Sequence, residues 1–150
     1  MKPAKESQVL SIRQAIPEDY QELFALDPLV KTNTQRPSFI ERIVNAGNCW
    51  VAVIGKKVAG YCALEYTFYD LGFISILYVH PEHRRKAIGS TLVRHLEALC
   101  ITPKIFTSTN LSNLAMQALL NKLGYSLTGV IHNLDEGDPE IVFMKYLQRT

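Results

Sequence analysis

The stretch from Phe73 to Cys100, FISILYVHPEHRRKAIGSTLVRHLEALC, constrains the fold of this chain more than any other. Phe73, Ile74, Ile76, Leu77, Tyr78 and Val79 form a nearly unbroken apolar run, the pattern of a strand covered on both faces and therefore central in a sheet. Pro81 cannot donate to a ladder and ends the strand. Leu92, Val93, Leu96 and Leu99 then recur at three- and four-residue spacing, which is one face of a helix.

The turn between strand and helix is basic and small. Arg84, Arg85 and Lys86 stand directly before Ala87, Ile88, Gly89 and Ser90. With the helix starting near Ile88, its first amides have no intrahelical partner and point into the turn, where the helix dipole adds positive charge. Gly89 lacks a Cβ and lets an anion approach the backbone. Free amides, small residues and basic side chains together make a phosphate site. A lone RRK would read as a solvated basic turn. The strand before it and the clean helix after it favour the anion site.

The segment VHPEHRRKAIGSTL resembles the acyl-CoA-binding motif of the GNAT superfamily of N-acyltransferases, whose core is Q/R-x-x-G-x-G/A. Arg84 matches the first position and Gly89 the last. Ala87 stands where glycine is usual, and its small side chain predicts a tighter fit rather than loss of the site. The resemblance implies that acetyl-CoA lays its pyrophosphate on the amides of Arg85 to Ser90. Arg84 and Arg85 would supply charge, and Lys86, Ala87 and Ile88 would complete the loop. Backbone groups around Leu77, Tyr78 and Val79, with amides at Leu77 and Val79, would hold the pantetheine arm and polarise the thioester carbonyl.

Composition narrows the alternatives. The 150 residues suit one domain, and 47% hydrophobic content suffices for a sizeable core. A net charge of +2 does not point to nucleic acid or an anionic membrane as the main partner. No stretch approaches the roughly 20 apolar residues of a membrane span. The start, MKPAKESQ, has no apolar signal region, so a cytoplasmic enzyme is expected. Cys49, Cys62 and Cys100 are odd in number and widely spaced, the pattern of buried free thiols rather than a metal site. His80 and His83 flank Pro81 without a second ligand cluster, so no metal is expected.

Along the chain, Val9 to Ile16 reads as a strand. Pro17 opens a helix with Glu18 and Asp19 in its first turn, although Ile16 is a poor cap. Pro28 to Pro37 reads as a loop, and Phe39, Ile40, Ile43 and Val44 mark a short helix stopped by Gly47. Cys49–Ile54 and Val58–Tyr69 form a hairpin about Gly55. Lys104 to Thr109 follows the motif helix as a strand parallel to the organising one. A helix capped by Asn110 or Ser112 runs to Gly124. Tyr125–His132 and Ile141–Leu147 are the last strands. The order is β-α-α-β-β-β-α-β-α-β-β, a mixed α/β fold with about seven strands and about four helices, and it matches the GNAT order over nearly the whole chain.

A second GNAT signature, N-x-x-A-x-x-L-Y-x-x-x-G-F/Y, resembles NLAMQALLNKLGY. Asn113, Leu119, Gly124 and Tyr125 match. Asn113 inherits the expectation of a contact to the CoA arm or a nearby backbone group, against an equal reading as a helix cap. Met116 replaces a small alanine. Leu120 stands where many members carry a tyrosine that protonates the leaving sulfur. Either another group serves, or a thiol with pKa near 8.5 leaves well enough unaided.

The attacking amine must lose a proton. Many relatives use a glutamate on the strand matching Phe73–Val79, and none stands there. Glu65, in the neighbouring apolar strand, is the candidate base, with burial expected to raise its pKa. An exposed position on a sheet face is the competing reading. Tyr66, Tyr69 and Tyr78 could also contact substrate, with core packing the default for aromatic residues in strands. The acidic turn of Asp135, Glu136, Asp138 and Glu140 reads first as a solvated hairpin loop, and second as a device steering a cationic amine.

The sum is a GNAT-like N-acetyltransferase with acetyl-CoA as co-substrate and a small-molecule or peptide amine as acceptor, without nucleic acid or membrane. The sequence leaves open a homodimer. The alternative is a non-catalytic acyl-CoA sensor, prompted by Leu120.

Overall fold

The computed structural model describes residues 9–84 and 87–147, so Arg85 and Lys86 lie outside the described residues. Seven strands form one sheet: β1 (Leu10–Gln14), β2 (Cys49–Ile54), β3 (Lys57–Phe68), β4 (Leu71–Val79), β5 (Lys104–Asn110), β6 (Ser126–Ile131) and β7 (Glu140–Tyr146). Their order is β1-β2-β3-β4-β5-β7-β6. Among the described residues only β4 and β5 run parallel; every other neighbouring pair is antiparallel. The helices are α1 (Tyr20–Leu26), α2 (Leu29–Thr32), α3 (Arg36–Asn45), α4 (Ile88–Leu99) and α5 (Leu114–Lys122). This is the expected mixed architecture, with one helical turn, α2, inside the segment expected to be loop.

The sheet separates two apolar clusters. On one face α4 places Ile88, Leu92, Val93 and Leu96, and α5 places Leu120 and Leu123, against Cys62, Leu64, Ile74 and Ile105. On the other, Leu23 and Leu26 of α1 and Ile40, Ile43 and Val44 of α3 cover Val51, Tyr61 and Ala63. The spacing that predicted each helix is the stripe it buries. The three cysteines are buried and free. Burial pushes the Cys49 thiol up to about 12, which leaves it inert at neutral pH.

Local chemistry explains the element ends. Pro17–Asp19 form a single 3-10 turn before α1. Ile16 offers no side-chain acceptor, but Asp19 takes its backbone N–H at 2.8 Å. At α2, Asp27 accepts from the Leu29 amide at 2.9 Å, so a side chain starts a helical turn where the prolines suggested a loop. The cap of α5 is Asn113, not Asn110 or Ser112: its Oδ1 accepts from the Met116 amide at 3.1 Å. Gly124 ends that helix at φ +90°, a left-handed position that favours glycine. Among the described residues, no helix is long and apolar enough to cross a membrane.

Candidate functional site

The site is built where the parallel pair β4–β5 comes apart. The β4–β5 pairing runs over Gly72↔Ile105, Phe73↔Phe106 and Ile74↔Thr107 and then ends. At its last step the Ile74 carbonyl is taken by the Thr107 hydroxyl, at 3.0 Å. Beyond it β5 stays with β7 as far as Asn110↔Glu140, while β4 stays with β3 as far as Val79↔Gly60. The two strands follow different partners, and an opening forms between them.

A bulge in β4 marks the same level. Ala63 pairs with Ile76 and Leu64 with Ile74, so Ser75 is an extra residue with no partner on β3. The bulge shifts the alternation of side chains. Leu77 and Val79 consequently pack with Ile74 on the α4 side, while Ile76 and Tyr78 pack on the α1–α3 side.

The ladder also fixes where the backbone of β4 points. The His80 amide donates to the Ala59 carbonyl at 2.8 Å. In an antiparallel ladder every second residue turns both its N–H and its C=O to the partner strand, so Tyr78 and Ile76 face β3. Leu77 and Val79 therefore turn both groups toward the opening. Tyr78 offers the opening no backbone group, in contrast to its expected place in the cofactor site. Its ring lies on the other face, tilted against Tyr61 with centroids 6.4 Å apart.

At the end of β4, His80 and the 3-10 turn Pro81–His83 lead toward α4. Helix α4 begins at Ile88, as the sequence predicts, with Ala87 at its N-cap. Ala87 has φ +60° and ψ 17°. Glycine is usual at this position of the motif because the backbone is left-handed there, a conformation that crowds a Cβ. The expected difference was one of fit; the observed one is of backbone strain. An alanine has no side-chain acceptor, so the amides of Ile88, Gly89 and Ser90 receive no side-chain cap from it. That is a suitable end for an anion. Ile88 is 1% exposed, so it contributes backbone only. A Cβ on Gly89 would stand 3.2 Å from Leu119 Cδ2 and 3.9 Å from Val79 Cγ2. The missing side chain of Gly89 thus lets α4 pack closely on α5 and β4, which adds a packing reason to the expected one of anion approach.

Arg84 lies beside the opening. Its Nε donates to the Val79 carbonyl at 3.1 Å, and its guanidinium carbon stands 5.8 Å from the centre of the Tyr78 ring. Asn113 sits at the N-terminus of α5 with its Oδ1 used as the cap. Leu120 is fully buried in the core beneath α4.

Glu65 differs from both sequence readings. It is 5% exposed, not on an open sheet face. Its carboxylate is held by both terminal nitrogens of Arg42 from α3. Burial alone would raise its pKa, but the hydrogen bonds and charge of Arg42 outweigh it and hold the carboxyl below its usual range. Glu65 pairs across to Phe73, level with the closed part of the β4–β5 pair. That is three residues beyond Cys62, the partner of Leu77, and about 10 Å along the strand. The carboxylate therefore stands in an ion pair with Arg42, short of the opening.

The acidic turn is neither free nor fully solvated. Asp138 accepts from the Ser112 backbone at 3.0 Å and from its hydroxyl at 2.5 Å. Asp135 accepts from Asn110 Nδ2 at 2.8 Å. These bonds tie the β6–β7 loop to the junction of β5 and α5, beside the opening. Glu82 brings a carboxylate to His80 and His83, and one ligand atom from each lies within 4.8 Å of the others. His80 Nδ1 already accepts from the Glu82 amide at 3.1 Å. Arg42 is the residue that sequence reasoning missed. A glutamate in an apolar strand signals that a cation must meet it, but not which one.

A family model described as the acetyltransferase (GNAT) family matches residues 10–125. A crystal structure of a GNAT-family acetyltransferase from Bacillus cereus is 32% identical, with a TM-score of 0.86, and covers 94% of this chain and 99% of that one. The ribosomal-protein-S18-alanine N-acetyltransferase of Escherichia coli is 15% identical, with a TM-score of 0.76, over 95% of this chain and 96% of its own. A Salmonella typhimurium protein solved with its cofactor acetyl-CoA is 17% identical, with a TM-score of 0.74, over 94% and 95% of the two chains. The last two speak to the fold alone. No curated protein sequence matches the chain.

Proposed function

The chain belongs to the GNAT acetyltransferase family, and from that premise we propose that it moves the acetyl group of acetyl-CoA to the primary amine of a small-molecule or peptide acceptor, by direct attack while both are bound. We read it as one catalytic domain acting in the cytoplasm, with no metal, nucleic acid or membrane in the reaction. The observation that carries the proposal is the opening between β4 and β5. The polar backbone groups of Leu77 and Val79 face it, and the uncapped N-terminus of α4 follows just after it in the chain.

Acetyl-CoA supplies an activated thioester. In this reading the amides of Ile88, Gly89 and Ser90 receive its phosphates, with charge from Arg84 and from Arg85 and Lys86 of the same loop. The Val79 and Leu77 backbone groups bond the amides of the pantetheine arm as a strand would. An N–H turned into the opening is placed to stabilise charge that develops on the thioester oxygen. The Asn113 side-chain amide is placed to donate to the arm while its oxygen caps α5. The acceptor enters from the α1–α3 side, where Tyr78 and Ile76 face. Proton removal falls to solvent, because Glu65 is engaged by Arg42.

The test couples binding to turnover. Acetyl-CoA should raise the unfolding temperature, with about 2.7 kcal/mol of added stability at a hundredfold excess over its dissociation constant. Release of free thiol should then identify an acceptor among free amines, amino acids, aminoglycosides and peptides with free N-termini. Absence of both a thermal shift and thiol release would remove the proposal.

A further inference from the structure

Helix α3 has two flanks above the sheet. Along one lies α1, whose Tyr20 hydroxyl bonds Asn45 Oδ1. On the other, Arg36, Phe39 and Arg42 follow at three-residue spacing and form one strip. The guanidinium carbons of Arg36 and Arg42 stand 5.4 and 5.3 Å from the centre of the Phe39 ring. Strand β3 fixes where the strip lies. Tyr61, Ala63 and Glu65 share its α1–α3 face. Arg36 sits 3.7 Å from Asp27, which accepts from the Tyr61 hydroxyl, and Arg42 holds Glu65. Phe39, between them, is at the level of Ala63 and its β4 partner Ile76. The strip is thus a wall beside β4, running from the level of Tyr78 to that of Phe73. The floor next to it is apolar. Phe73 and Phe106 pair across β4 and β5, with the Phe68 ring 5.3 and 5.0 Å from theirs, and all three are half-buried.

The arginines are not used up by their acids. Asp27 and Glu65 are buried beneath them, while the Arg42 side chain is 55% exposed and that of Arg36 17%. A guanidinium carries several N–H donors in one plane. Arg36 approaches Asp27 through Nε, and Arg42 gives Glu65 one bond from each terminal nitrogen. Each keeps further N–H groups directed away from its acid. An acceptor on this face meets the cations first and the compensating charges behind them. Arg84, 5.8 Å from the centre of the Tyr78 ring, puts a third cation at the end of the same row.

We propose that Arg36 and Arg42 form a carboxylate-recognition site in the acceptor cleft, so that the amine this chain acetylates also carries a carboxylate. The proposal rests on the acetyltransferase reading above and names its acceptor class. A neutral acceptor lays uncharged groups against two guanidiniums, whereas a carboxylate gains charge-assisted bonds there. Free amino acids and peptides with an acidic residue beside the N-terminus both present this chemistry.

Two matched pairs of acceptors test it and separate these sources. One is γ-aminobutyrate against γ-aminobutyramide. The other is a C-terminally amidated peptide with glutamate after its first residue against the same peptide with glutamine. Thiol release at saturating acetyl-CoA gives kcat/KM for each. The carboxylate member of at least one pair should react about tenfold or more faster, and the pair that shows it names the source. The ratio within one protein does not depend on its folded fraction. Arg36→Gln should lower that ratio. So should Arg42→Gln made together with Glu65→Gln, which leaves no buried charge without a partner. Combining all three changes should bring the ratio near unity. A ratio near unity in the parent would overturn the site while leaving acetyl transfer intact, as would a ratio that survives the combined changes. Acetyl-CoA binding without turnover of either carboxylate acceptor would overturn it too. No binding of acetyl-CoA would instead remove the acetyltransferase reading, and this inference with it.

Discussion

Arg42 on α3 donates through both terminal nitrogens to the carboxylate of Glu65 on β3, and the carboxylate is buried while the arginine is half exposed. The pair fastens α3 to the sheet. It also fixes the charge state of Glu65, because the folded carboxyl titrates below its unfolded value.

The sign of the linkage follows. A depressed carboxyl contributes stability that is present above the unfolded pKa, about 4.3, and is lost as pH falls through the folded pKa. Arg42→Ala leaves the buried carboxylate without its cation, which should cost about 2–3 kcal/mol at pH 7 and raise the pH of acid unfolding. Glu65→Gln should flatten the acid dependence and keep the maximal rate within a few-fold. Chemical denaturation from pH 3 to 7 and steady-state thiol release measure the two. A hundredfold loss of rate in Glu65→Gln at unchanged stability would return Glu65 to the role of base.

Ala87 offers a test of backbone strain. A non-glycine residue in the left-handed region costs roughly 1–2 kcal/mol, and glycine gives back about 0.5–1 through the unfolded chain. Ala87→Gly should therefore stabilise the protein by about 0.5–1 kcal/mol and leave acetyl-CoA affinity at or above that of the parent. A loss of stability, read by denaturant titration, would mean that the alanine methyl packs better than its backbone suffers.

The parts of the fold that were legible in the sequence are those written in neighbouring residues. The alternation and turn of Cys49–Ile54 and Lys57–Phe68 make a hairpin, and the β4–turn–α4 unit begins its helix at Ile88 as its pattern says. What was not legible depends on residues far apart in the chain. The insertion of β7 between β5 and β6 follows from which strand finds which edge. The bulge at Ser75 is a mismatch between two strands and leaves no mark on either alone. Glu65 could be seen to need a partner, yet Arg36 and Arg42 stand on the same helix. Arg36 instead sits 3.7 Å from Asp27.

Proton removal from the acceptor gives a prediction in pH. With Glu65 engaged, the reactive amine is the fraction already neutral, and an alkylammonium has a pKa of roughly 10. The second-order rate constant for the acceptor should then rise about tenfold per pH unit from pH 6 to 9, provided the acceptor is an ordinary alkylamine. A plateau beginning near neutrality would reveal a base within the protein, and the pH of the plateau would give its pKa.

Leu120 stands where relatives of the second motif carry tyrosine, and in this fold its side chain is fully buried with Ile88, Leu92 and Leu96. A tyrosine there would add a ring to a filled core and a hydroxyl in need of a partner. Leu120→Tyr should therefore cost about 1–3 kcal/mol by overpacking. It should not accelerate turnover, because a thiol with pKa near 8.5 leaves tolerably without a donor. Free-thiol release with the best acceptor, measured for both proteins well below their unfolding temperatures, separates the cases. An unchanged or modestly lower maximal rate fits a reaction in which sulfur protonation is not limiting. A rise of a hundredfold or more would show that the parent lacks a donor the chemistry needs. It would also mean that α5 can turn residue 120 out of the core toward the sulfur, and the parent would then be better described as an acyl-CoA sensor than as a catalyst.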